Sequence, residues 1–284
     1  KMKKILLTTT ALVATAGFAM AEVTVSGSAD IGLAYSDSGV NKTTVESDVD
    51  INFAASGETD GGIAWTASGG ISNDTDVANS GVSTGTVDTG VVSISGDFGT
   101  VSAGDVSSAM SAVGIADIGY DGIGIDNVAE GSRAPGNHDV RWAYAMDGIA
   151  LTVTTNTHDD SGAVSVGWTS GAMSMVVAHS SDGNTGGVTN NAASVSTSVG
   201  GMSVAIMMAD SSTASIGSSQ GMAVSMPMDG FGTVTFALAD SHSDTDASYG
   251  VGFSKSLGGG ATLAGAYGTV DNVAKADLGI SFSF

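Results

Sequence analysis

From Val23 to Tyr35 the odd positions read Val, Val, Gly, Ala, Ile, Leu, Tyr, and the even positions read Thr, Ser, Ser, Asp, Gly, Ala. A period of two predicts a β-strand with one apolar and one polar or small face. The pattern returns at Val45–Phe53, Ile149–Thr154, Met202–Met208 and Val234–Leu238, and it closes the chain from Lys275 to Phe284. In that last run Leu278, Ile280, Phe282 and Phe284 share one face, opposite Asp277, Gly279, Ser281 and Ser283. Clusters such as Gly57–Gly62, Ser181–Gly187 and Leu257–Gly260 punctuate the runs as turns. Strands are expected to start near residues 23, 43, 61, 87, 100, 138, 148, 161, 171, 190, 201, 217, 230, 245, 260 and 273. No helical periodicity follows residue 21. The expected fold is an all-β, transmembrane antiparallel β-barrel of about sixteen strands. Its apolar faces meet lipid and its polar faces meet water, and closure, to which Phe282 and Phe284 on the last strand contribute, removes the sheet edge.

The first residues break the pattern. Lys1, Lys3 and Lys4 precede a mostly apolar stretch from Ile5 to Phe18, and Ala19-Met-Ala21 has the small-x-small form of a cleavage site. Residues 1–21 read as a secretory leader and 22–284 as the barrel. Such a leader directs the chain to the periplasm, the outer membrane or the exterior of a Gram-negative cell, and for a barrel the expected destination is the outer membrane. There are no cysteines, so disulfides, thiol catalysis and thiolate metal sites are excluded. Two prolines and 42 glycines suit long strands joined by tight turns. Eight basic residues, three of them in the leader, stand against 29 acidic ones, which excludes nucleic acid as a partner.

Charge also changes the reading of one strand. Glu46, Asp48 and Asp50 share a face opposite Val45, Val49, Ile51 and Phe53. Carboxylates facing lipid cost up to a few kcal/mol, depending on depth, so this face belongs to the lumen. There it is either a wall that attracts cations or merely a hydrated acidic lining. Arg141 alternates with Trp142 and is expected to point inward, bracing a nearby acid or standing solvated. Trp65, Trp142, Tyr144, Trp168, Phe253 and Tyr267 are candidates for interfacial aromatic girdles or for subunit contacts.

Motifs for catalysis are poor. Gly81-Val-Ser-Thr-Gly85 matches a nucleophile-elbow pattern without a strand–turn–helix context. Asp48-Val-Asp-Ile-Asn52 begins like a calcium loop but sits within a strand. His138, His158, His179 and His242 lack triad or metal spacing, and the pairs Asp74/Asp76 and Asp244/Asp246 are expected in solvated loops. No enzyme is expected. The one break in the strand rhythm is residues 105–137, and loops of that length are usually functional.

The blocks Glu22–Gly32, Ser56–Ile63, Val91–Asp105 and Ala276–Phe284 resemble those of the alphaproteobacterial, Rhodobacter-type general outer-membrane porins. The resemblance implies a homotrimer of sixteen-stranded barrels, each narrowed by a third external loop folded inward. It places that loop at 105–137, with Asp105, Asp117, Asp121, Asp126, Glu130 and Arg133 as constriction residues. It also makes calcium possible at Asp117, Asp121 and Asp126, though no cofactor is required. Where the family places arginines opposite the loop, this chain has Glu46, Asp48 and Asp50. The expected function is a diffusion channel for small hydrophilic solutes and ions, cation-selective. The alternative is an exported, acidic, β-rich structural or adhesive surface protein without a pore.

Overall fold

In the computed structural model the described residues are 22–38, 40, 42–76, 86–87, 90–133, 136–183, 187–244 and 246–284. The leader expected over residues 1–21, and the Gly81–Gly85 motif, lie outside them. The strands are β1 (Glu22–Ser36), β2 (Thr43–Glu58), β3 (Ala64–Asp76), β4 (Thr86–Val87), β5 (Val91–Gly96), β6 (Gly99–Ser107), β7 (Asn137–Met146), β8 (Ile149–Thr155) and β9 (Gly162–Ser170). They continue as β10 (Met173–Ser181), β11 (Thr189–Val199), β12 (Met202–Ser211), β13 (Ser218–Met228), β14 (Gly232–Ser241), β15 (Ser248–Gly258), β16 (Ala261–Val270) and β17 (Val273–Ser283).

Every pairing is antiparallel, and β1 pairs with both β2 and β17, so the sheet closes on itself. Both β4 and β5 pair with β3, the first at Ser72 and Ile71 and the second from Ser68 to Ala64. They are two pieces of one wall strand, which makes a sixteen-strand barrel. Local sequence sets the hairpins. Asp147-Gly148 (φ 48° and 81°) and Asp271-Asn272 (φ 49° and 64°) supply two consecutive positive-φ residues, the backbone of a two-residue hairpin turn whose twist matches the strands.

The alternation resolves as expected. Val23, Val25, Ile31 and Leu33 of β1, Val45, Val49 and Phe53 of β2, and Leu278 and Phe282 of β17 are exposed on the outer face. The apolar exterior is thus the barrel's lipid surface, and the packed core lies inside, in the lumen. The expected strand starts fall within about three residues of most observed ones. Two expectations are corrected. Asp105 belongs to β6, not the loop: Gly104 at φ 126° makes a bulge there, and the Asp105 N–H donates to Gly90 O (3.2 Å). Asp74 and Asp76 end β3 in register with Asp48 and Glu46, so they extend the wall instead of lying in a loop.

Candidate pore and its constriction loop

Residues 108–133 leave the wall and fold into the lumen. They carry a 3-10 turn (Ala109–Ala112), a short helix α1 (Ile125–Glu130) and a second 3-10 turn (Gly131–Arg133). The segment has an apolar side. Met110, Val113, Ile118, Ile123, Ile125 and Ala129 are almost fully buried against wall alanines, among them Ala178, Ala192, Ala209 and Ala237. Small wall residues make this possible. An added Cβ at Gly250 would meet Ile125 Cδ1 at 2.9 Å, and one at Gly268 would meet Ile123 Cδ1 at 2.8 Å. The inward alanines and glycines of β9–β17 are therefore the seat of the loop, not merely small lumen residues.

Polar groups from three parts of the wall fasten the seat. On β8 the Thr154 hydroxyl accepts from the Ala109 N–H (3.0 Å) and shares a hydrogen bond with His138 Nδ1 (2.6 Å). On β13 the Ser219 hydroxyl donates to Ala129 O (2.5 Å) and accepts from the Ser132 N–H (3.3 Å). On β17 Asp277 does most. Its Oδ2 accepts from the consecutive N–H groups of Tyr120 (2.9 Å), Asp121 (3.1 Å) and Gly122 (3.1 Å), and its Oδ1 accepts from the Ala266 N–H (2.7 Å). Asp277 is 7% exposed. Four backbone donors make burial of its carboxylate tolerable, because a buried charge is stable only when hydrogen bonds replace its water. Beside it, the Tyr120 ring lies on a floor formed by Gly32 and Gly279, which face each other across β1 and β17.

The loop's charges are mostly spent within the loop. Glu130 and Arg133 form an ion pair with side chains 17% and 11% exposed, and Arg133 also donates to Val113 O, clasping the outgoing leg to the returning one. Asp117 accepts from the Ile118 N–H (2.7 Å) and hydrogen-bonds with Asp126. Burial, then the adjacent Asp126 charge, pushes the Asp117 carboxyl up to about 7. Asp121 lies beside Tyr120, whose hydroxyl is held above its usual range by burial first and then by Asp30, Asp48, Asp121 and Glu46. The possible calcium set is not assembled: among the described residues no three His, Asp or Glu side chains are arranged to hold a metal. The expectation for Asp117, Asp121 and Asp126 is corrected on that ground. Asp117 hydrogen-bonds with Asp126, whose Oδ1 is buried without a partner, and Asp121 gives its backbone N–H to Asp277.

Opposite the seat, β1 and β2 present carboxylates. Glu46 stands in register with Gly32, Asp48 with Asp30 and Asp50 with Ser28, so all share the inner face of the wall. Ser28 Oγ donates to Asp50 Oδ2 (3.3 Å) and Thr44 Oγ1 donates to Glu46 Oε1 (3.5 Å). Asp30 joins this set, although the alternation alone marks it only as one polar position among many. Arg141 is in register with Ser102 and Thr154 on the inner face. It does not brace a loop acid. None of the ion pairs among the described residues includes it, and its Nε is buried without a hydrogen-bond partner. Lys275 faces the loop near Gly124, while Lys255 donates to Gly230 O (2.6 Å) at a hairpin.

On the outside, Trp142 and Tyr144 stack at 6.1 Å, with Trp142 Nε1 donating to Phe98 O (2.8 Å), and Phe231 lies 5.7 Å from Phe253. These aromatics, with Trp65 and Trp168, sit beside the short turns at one end of the barrel. Tyr35, Tyr249 and Tyr267 sit at the other. Two aromatic bands bounding an apolar wall are what a bilayer's two interfaces favour.

The wall, the lumenal loop and the paired bands agree with the comparisons. No curated protein matches the sequence significantly. Among solved structures, the chain is similar to several engineered variants of the porin of Rhodopseudomonas blastica. One has a TM-score of 0.78 at 18% identity, another 0.77 at 19% and a third 0.76 at 17%. Each alignment covers 92% of this chain and 100% of the other. At that identity the likeness concerns the fold. The family model described as Gram-negative porin matches residues 8–282, almost the whole sequence, and the chain belongs to that family: it is an outer-membrane diffusion channel and not an enzyme.

Proposed function

We propose that this porin prefers cations. The observation that carries the reading is the inner face of β1 and β2, where Asp30, Glu46, Asp48 and Asp50 stand together on the wall. The loop contributes little opposing charge, since Glu130 and Arg133 neutralise each other. Carboxylates lining a narrow aqueous path lower the potential there, concentrate cations and repel anions. Arg141 and Lys275 are the lumenal cations that oppose them. The aperture carries small hydrophilic solutes and ions, and net charge is the property on which it discriminates.

The test is the reversal potential in a planar bilayer under a potassium chloride gradient. Wild type should show cation preference, weakening as salt rises, because the Debye length is about 10 Å at 0.1 M and about 3 Å at 1 M. The variant E46Q/D48N/D50N should lose most of that preference and still assemble, because amides suit a wet lumen. Anion preference in wild type, or an unmoved reversal potential in the triple variant, would remove β2 from the selective wall.

We further infer a homotrimer, from the family resemblance and from the broad apolar exterior, and export through a leader ending at Ala21, in keeping with β1 beginning at Glu22. The intact mass of the membrane-inserted protein would check the leader, with any retained residues before Glu22 counting against it.

A further inference from the structure

The outer face of β9–β14 departs from the rest of the barrel at its long-loop end. Along the register, His179, Asn191, Asp210 and Ser218 form one row across β10–β13. The next row, two residues or ~7 Å along each strand, reads Val177, Ala193, Met208, Gln220 and Asp240 across β10–β14. The row below it, Met175, Val195, Ile206, Met222 and Leu238, is wholly apolar. The two upper rows, with Val164 and Val166 at one side and His242 at the other, line an open groove of about 900 Å³. At the same rim β1, β15 and β16 carry tyrosines instead: Tyr35, Tyr249 and Tyr267.

The groove is rich in acceptors and short of cations. Asp210 and Asp240 are exposed, and neither is in an ion pair among the described residues. Asn191 Oδ1 accepts from His179 Nδ1 (2.9 Å), which leaves His179 Nε2 facing outward as an acceptor. The sequence holds no Lys or Arg between Arg141 and Lys255. An anionic headgroup would meet two carboxylates and no positive partner. A headgroup bearing an ammonium would meet carboxylates, an imidazole nitrogen and amide oxygens, with an apolar floor directly beneath for its chains. A second copy of the chain fits less well. The cations outside the lumen are Lys42, already paired with Asp37, and Lys255 at the opposite rim.

We propose that this groove is a binding site for a membrane lipid with a primary-ammonium headgroup, held by Asp210 and Asp240 with its acyl chains over Val177 and Met208. The experiment is native mass spectrometry of the intact, detergent-purified porin incubated with dioleoyl phosphatidylethanolamine or dioleoyl phosphatidylglycerol, each with and without magnesium. The expected result is several-fold greater retention of the ethanolamine lipid, independent of magnesium, falling to the level of the glycerol lipid in D210N/D240N. Both positions are exposed and Asn preserves their shape, so conductance and heat-modifiability should be unchanged. The single variants D210N and D240N should each give a partial loss if the double variant assembles poorly. Equal retention of both lipids overturns the proposal, as does a preference for the glycerol lipid that appears only with magnesium. So does an ethanolamine preference that survives D210N/D240N, or an oligomer of Gln220→Cys that cross-links to a neighbouring copy.

Discussion

Two glycines in register decide where the constriction loop lies. Gly32 of β1 and Gly279 of β17 leave the wall bare under the Tyr120 ring, and a Cβ at Gly279 would fall 2.3 Å from Tyr120 Cδ2. Replacing Gly by Ala at a compatible strand site stabilises by about 0.4–1 kcal/mol through the unfolded state. Overpacking a filled site costs roughly 1–3 kcal/mol, so the clash should win at this position. Gly279→Ala is expected to push the ring away from the wall and into the aperture, lowering single-channel conductance while the barrel still forms. Unchanged conductance would mean that the ring can slide along the wall and that the glycine floor is not what sets its position.

At the scale of the element, the loop behaves as a lid already closed and fastened from inside. Thr154, Ser219 and Asp277 reach it from separate strands, and removing the Asp277 carboxyl would leave buried N–H donors unmet, at roughly 1–3 kcal/mol each. The Asp117–Asp126 contact is the weak point, because it depends on protonation. Burial and the Asp126 charge raise Asp117 from its ordinary 3.8 to about 7, so the docked loop binds a proton that the undocked loop releases. The docking stability this contributes is full below about pH 4 and lost as pH rises through about 7. Open-channel current noise from loop movement should therefore increase between pH 5 and 8. In Asp117→Asn, where an amide can donate to Asp126 at any pH, the noise should stay flat. Equal pH dependence in both proteins would place its origin elsewhere, in Glu130 or the wall acids.

The whole molecule is held by one closure, β1 against β17. It ends with the Phe284 N–H donating to Gly27 O (3.0 Å) and the Gly27 N–H donating to Phe284 O (2.9 Å). Phe284 sits at the short-turn rim, where a Lys facing the interface costs only about 0–1 kcal/mol in the folded barrel. A marked loss of oligomer in Phe284→Lys would thus report on assembly, not on the stability of the finished sheet. Unboiled gel samples of wild type should show a high-mass band that collapses on heating, and that band should be much reduced in the variant. A normal yield would show that the last residue is dispensable for closure.

The period-two alternation determined the barrel because it is a local rule. With one face in lipid and one in water, each strand states its own orientation, and the starts of β1, β2, β6 and β17 could be read almost to the residue. The placement of Glu46, Asp48 and Asp50 on the inner face follows from the same rule. The loop was legible only as an interruption. Nothing in the spacing of Gly119, Tyr120, Asp121 and Gly122 says that Asp277, more than 150 residues later, will gather their N–H groups. Nor does composition distinguish the glycines and alanines that seat the loop from those that merely make room in a lumen. The Arg133–Val113 and Asp117–Asp126 contacts depend on two legs of one segment meeting after it has folded back. Orientation toward lipid or water is settled residue by residue along the strand. Which side chain meets which across the lumen is settled only when the sheet has closed and fixed the distances between its strands.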